Sequence, residues 1–246
     1  VHSMSMEFFA WPWAEGFFGE DTRKFRYSHL AGALTFIPYG TMVDHFQHIV
    51  YEKPEMTPAE RHAVWKELLG VYMPWVKLGD GIPFYGDGEG WQRQLHIYVN
   101  PFYYIDYCLA QTVSLQFWAL LQKDKDNAWQ HYMAYTKQGG SCVFTKLLEN
   151  AGLESPFGEA CLRGVCETAK AWLDSYDLTG LEESKDASAG GIGRPNSALG
   201  LSLESEAKTL EKHEKQREQA CARAAAARQL AVFCRLHCRK PALYAL

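Results

Sequence analysis

The 246-residue chain is 47% hydrophobic, enough apolar material for one buried core with an appendage. Its net charge of −4 offers no basic field to nucleic acid or an anionic membrane surface, and no apolar run reaches the roughly 18–20 residues of a membrane span. Seven scattered cysteines, Cys108, Cys142, Cys161, Cys166, Cys221, Cys234 and Cys238, argue against a disulfide framework and for a reducing, cytoplasmic setting.

In chain order, residues 1–18 read as one helix bent at Trp11-Pro12-Trp13, because proline removes a ladder hydrogen bond. The long mixed stretch 22–52 predicts helix broken or kinked near Pro38 and Gly40. Thr57, Pro58 and Glu60 supply an N-cap, an N1 proline and a capping box, a strong start signal. Residues 79–90, GDGIPFYGDGEG, set five glycines among acids and read as a loop. Helical text resumes at Trp91, and Pro101 opens a helix through Leu121. Residues 126–140 form a short helix with a glycine stop, and Ser155-Pro156 opens another that runs to about Tyr176. No useful period-2 segment or 20–50-residue repeat appears, so the class is all-α. Composition then shifts: residues 182–200 are Gly/Ser/Pro-bearing linker text, and residues 201–246 are an Ala- and charge-rich helical or disordered tail.

Residues 92–107, QRQLHIYVNPFYYIDY, place His96 ahead of Tyr98, Tyr103, Tyr104 and Tyr107. On a helix the last three share a broad face. One reading is core packing with hydroxyls bonded at the rim. The other is a row of donors aimed where a carbonyl oxygen gains charge, each typically worth roughly 2.7–4 kcal/mol in the transition state. The glycine-rich loop before it suits a lid or substrate strap. Asp44, His45 and His48 lie together with the histidines three apart, but two imidazoles without a further ligand read as a satisfied structural site rather than a metal site. Cys234, His237 and Cys238 look like a metal fragment isolated in the tail, and the acidic loop Asp80, Asp87 and Glu89 lacks the ligand alternation of a calcium loop. No metal site is assigned within the chain.

Four stretches carry a resemblance: VHSMSMEFF, FIPYGTMVDHFQHIVYEKPEMTPAER, WQRQLHIYVNPFYYIDYCLAQ and LLENAGLESPF. Together they resemble the C-terminal part of the oligoendopeptidase F branch of the thimet-oligopeptidase-like zinc metallopeptidases, over about residues 1–181. The resemblance implies the C-terminal portion of a helical zincin-type catalytic domain with a channel for short peptides. Zinc would be its cofactor, held by an H-E-x-x-H helix and by a glutamate on a later helix. That glutamate is followed after three residues by Ser and after four more by a second Glu. Ser3 and Glu7 match the later members, so the ligand glutamate is expected immediately before Val1. Glu7, two turns along the same face, would then accept the spare N–H of a metal-bound imidazole. His96 is implied to bond substrate and the developing oxyanion with Tyr103 or Tyr107, while Tyr98 and Tyr104 are implied to contact substrate. The parent protein is thus expected to be a zinc metalloendopeptidase acting on short peptides. The 246 residues contain no H-E-x-x-H, so the chain by itself is expected to be inactive. A non-catalytic helical module that binds peptides is the rival expectation.

Overall fold

A computed structural model describes residues 1–76, 82–179 and 181, and among these there are helices and no strand. Helix α1, His2–Phe9, ends before a 3₁₀ turn at Trp11–Trp13, and α2, Glu15–Phe18, follows. The bend expected at Pro12 is therefore a full break. The opposite holds for α3, Thr22–Glu52, which runs unbroken through Pro38. An internal proline typically costs about 3 kcal/mol, but α3 buries Leu30, Ala33 and Ile37 before Pro38 and Met42, Val43, Phe46 and Val50 after it. Packing along both halves outweighs the local penalty. The Ile37 carbonyl also accepts from the Thr41 hydroxyl at 2.8 Å and faces the Cys108 thiol at 3.6 Å.

Helix α4, Pro58–Tyr72, starts at the expected capping box: the Thr57 hydroxyl accepts from the Glu60 N–H, and Glu60 Oε2 accepts from the Thr57 N–H at 2.7 Å. After a 3₁₀ turn at Glu89–Arg93 comes the single-turn helix α5, His96–Val99. The next helix, α6, begins at Ile105 and not at Pro101, because Phe102 sits at φ 59°, off the right-handed helical path. Helix α6 ends at Leu121 as expected, and α7, Lys125–Thr136, is capped by Asp124, which accepts from the N–H groups of Asp126 and Asn127. Helix α8, Phe144–Asn150, has no side-chain cap and gave no start signal; α9, Glu159–Asp174, begins three residues beyond Pro156.

Helix α6 is the centre of the bundle. Its Leu115 and Trp118 pack with Phe8, Leu30, Ala33, Leu162 and Val165 from α1, α3 and α9, and with Trp11 of the 3₁₀ turn. Val113 and Phe117, on another face, meet Phe9, Ala128, Tyr132 and Leu148. A further cluster joins the second half of α3 to α4 and the segment before α6, through Phe46, Trp65, Leu68, Trp91, Ile97 and Tyr104. Where α3 crosses α6, a Cβ on Gly40 would lie 2.2 Å from Cys108 Sγ, so glycine permits the close approach. Gly88, at φ 84°, has the same function against α4, since a Cβ there would lie 2.3 Å from the His62 carbonyl oxygen. Among the described residues no helix is long and apolar enough to cross a membrane. Asp80, the expected linker 182–200 and tail 201–246, and with them Cys221, Cys234, His237 and Cys238, lie outside the described residues.

Candidate functional site

The segment carrying His96 is irregular, and α3 holds it through side chains. Buried Gln47 turns its Oε1 to the backbone N–H of Phe102 at 2.8 Å. That bond accompanies the left-handed conformation of Phe102, a state costing on the order of 1–3 kcal/mol that persists only where its surroundings enforce it. The Phe102 ring lies 4.7 Å from that of His48 and 5.2 Å from that of Tyr51. One turn further on, the Tyr51 hydroxyl donates to the Ile97 carbonyl. The loop around His96 is thus tied down on both sides.

His96 opens α5 and is half-buried. Its Nδ1 lies 2.8 Å from Gln94 Nε2, and the Gln94 Oε1 accepts from the Tyr39 hydroxyl at 2.9 Å. Its Nε2 lies 3.4 Å from the Tyr107 hydroxyl. Three tyrosine rings surround the imidazole: Tyr103 is stacked at 6.4 Å, and Tyr104 and Tyr107 are edge-on at 5.0 and 5.6 Å. Burial pushes the phenols of Tyr39, Tyr104 and Tyr107 upward, and at Tyr107 the hydrogen bond its hydroxyl donates to Tyr103 adds to the shift. These hydroxyls therefore keep their protons at neutral pH and remain donors. Burial and the charge of Asp44 likewise raise the neighbouring carboxyl of Asp106.

The structure brings His96, Tyr103, Tyr104 and Tyr107 together, but the tyrosines divide. Tyr103 precedes α6 and is 45% exposed, so it faces solvent. Tyr104 is only 7% exposed and packs within the core against Phe36, Tyr39 and His96. From there it braces the imidazole and presents no surface to a ligand. Tyr98 stands 54% exposed and stacks on Trp91. Glu7 is elsewhere: its Oε2 pairs with His29 Nε2 at 3.1 Å, and His29 is separated from Tyr39 by roughly 15 Å of helix rise along α3.

His45 and His48 go to different partners. His45 Nδ1 lies 3.0 Å from the Tyr72 hydroxyl, and His48 Nε2 lies 3.5 Å from Asp44 Oδ2. Asp44 Oδ1 is a buried acceptor without a hydrogen-bond partner among the described residues, yet no group of three or more His, Cys, Asp or Glu there could hold a metal ion. The described residues do not by themselves build a zinc site.

Sequence reasoning missed Tyr39, Gln47 and Gln94. Tyr39 and Gln94 are 55 positions apart, as are Gln47 and Phe102, and no local spacing signals either pairing. Gln94 lies two residues before His96, and an amide that close to a suspected catalytic imidazole was the one available hint.

No family model matches the chain, and no curated protein matches it. Solved structures do. A 3.1 Å structure of oligoendopeptidase F gives 52% identity and a TM-score of 0.68 over 72% of this chain and 31% of that one. PZ peptidase A, solved with an inhibitor, gives 48% identity and a TM-score of 0.68 over 72% and 31% of the two chains. An oligoendopeptidase F from Bacillus anthracis str. Ames gives 44% and 0.59 over 72% and 28%. Over 72% of its length the chain matches a segment of these oligoendopeptidase F and PZ peptidase structures at 44–52% identity, and it spans less than a third of their length.

Proposed function

We propose that this chain supplies the histidine–tyrosine wall of a peptidase active site, and that the whole protein hydrolyses short peptides as a zinc-dependent metalloendopeptidase. The observation that carries the reading is the convergence of His96 Nε2 and the Tyr107 hydroxyl, 3.4 Å apart, beside exposed Tyr103. When a peptide carbonyl is attacked, its oxygen gains negative charge. An imidazole N–H and a protonated phenol meeting at one point offer that oxygen two donors. Between the phenols, Tyr107 and Tyr103 are the candidates for the second donor, and Tyr104 acts by packing. Exposed Leu95, Tyr98 and Val99 border the cluster and suit the apolar side chains of an extended peptide.

The test is a chimaera in which residues 1–181 replace the matching segment of the oligoendopeptidase F relative at 52% identity. Cleavage of quenched-fluorescent peptides is expected. His96→Ala should lower kcat by about 10²–10³ with KM changed much less, because the contact strengthens in the transition state. Of Tyr103→Phe and Tyr107→Phe, only the acting hydroxyl should show a large kcat loss. A folded chimaera that binds peptide without cleaving it would favour a binding module, and near-normal kcat in His96→Ala would remove His96 from the chemistry.

A further inference from the structure

A neutral imidazole carries one proton on two nitrogens, so His96 can offer Nε2–H outward only if Nδ1 is held as an acceptor. Something must make that choice. We propose that Gln94 is the positioning residue that does so: its side-chain amide fixes His96 as the Nε2–H tautomer.

The geometry runs through three side chains. Gln94 Nε2 faces His96 Nδ1 at 2.8 Å, and an amide NH₂ only donates, so Nδ1 must accept. The amide is itself oriented by the Tyr39 hydroxyl, which donates to Gln94 Oε1 at 2.9 Å. Tyr39 is suited to this, because burial keeps its phenol protonated and so a donor at neutral pH. Reversing the amide would set its NH₂ against the Tyr39 O–H and leave the Tyr39 proton without its acceptor. The Nε2–H that results meets the Tyr107 oxygen at 3.4 Å, beyond the usual 2.7–3.2 Å range, so it is weakly engaged and open to a better acceptor. Tyr104, edge-on at 5.0 Å, holds the ring in plane. The significance for catalysis rests on the oxyanion reading of His96, whereas the tautomer is a property of this chain that can be read without turnover.

The experiment uses the 246-residue chain with ring-¹⁵N-labelled histidine and long-range ¹H–¹⁵N correlation at pH about 8.5, where imidazoles are neutral. His96 is assigned by the signals that vanish in His96→Gln. The wild-type chain should show the Nε2–H pattern. In Gln94→Glu a carboxylate, which only accepts, replaces the donor, and the pattern should switch to Nδ1–H. In Tyr39→Phe the amide loses its orienting bond, and signals of both tautomers should appear. An Nδ1–H pattern in the wild-type chain overturns the inference, as does an unchanged Nε2–H pattern in the two variants. Should Gln94→Glu lose its helical circular dichroism, Tyr39→Phe alone decides between these outcomes. The two readings fail separately: an active chimaera indifferent to His96→Ala ends the oxyanion role but leaves the tautomer standing, and a wild-type Nδ1–H signal ends the Gln94 assignment but leaves peptide cleavage untouched.

Discussion

The two halves of α3 hold their neighbours by different means. From Thr22 to Ile37 the helix is packed: Leu30, Ala33 and Ile37 sit among Phe8, Trp118, Leu162 and Val165, and each contact is one of many. From Tyr39 to Tyr51 it packs as well, but it also reaches an irregular segment through single polar bonds, Tyr39 to Gln94, Gln47 to Phe102 and Tyr51 to Ile97. Packing is non-directional and redundant, so it fixes where elements lie. A lone hydrogen bond is directional and has no substitute, so it fixes how one side chain points. The first half builds the bundle, and the second aims a site.

That contrast can be broken by mutation, and the largest effect belongs to the packed half. Trp118→Ala, at a fully buried residue meeting α1, α3 and α9, should cost about 3–5 kcal/mol in urea unfolding. A loss well under 1 kcal/mol would show that the packed half is not what carries stability. Gln47→Met keeps the bulk and removes the acceptor for the Phe102 N–H. It should cost about 1–3 kcal/mol, and amide exchange should rise at residues 102–104 ahead of α6. Uniform faster exchange across the whole bundle would erase the distinction between the halves.

Thr57→Ala removes a cap at the rim of the second half and should cost roughly 1 kcal/mol, with the amide of Glu60 losing protection. The smallest effect concerns the polar exception in the packed half. His29 stacks on Phe8, accepts from the Trp11 indole N–H through Nδ1 and pairs through Nε2 with Glu7. Burial lowers its pKa from the usual 6.5, against the opposing pull of Glu7. The unfolded chain therefore takes up its proton first on acidification, so this contribution is complete above pH 6.5 and is lost as pH falls from there through the folded value. Melting temperatures should drop over that window, and His29→Gln should flatten the slope. An identical slope in the variant would remove His29 as its source.

The same contrast explains what could be read in the residues alone. The capping box at Thr57–Glu60, the end of α6 at Leu121 and the grouping of His96 with Tyr103 and Tyr107 are local signals or short-range neighbours, and each is present in the structure. Pro38 misled because the local rule is sound but burial on both sides of it is stronger. The start of α6 was misplaced because the Phe102 conformation depends on Gln47, far away in sequence. The burial of Tyr104 and the Tyr39–Gln94–His96 chain were hidden for the same reason: neither has a period, and both depend on which helix passes nearby.

The contact between Gly40 and Cys108 has a consequence over generations. A methyl at position 40 would collide with the thiol at 2.2 Å, whereas trimming position 108 first would open room for it. Substitutions at the two sites are therefore not exchangeable in time. A lineage can pass through a small residue at 108 and then enlarge 40, while the reverse order requires the Cys108 thiol to be displaced from its place between α3 and α6. Among descendants, positions 40 and 108 should vary as one inherited unit, with history written in a fixed sequence of steps.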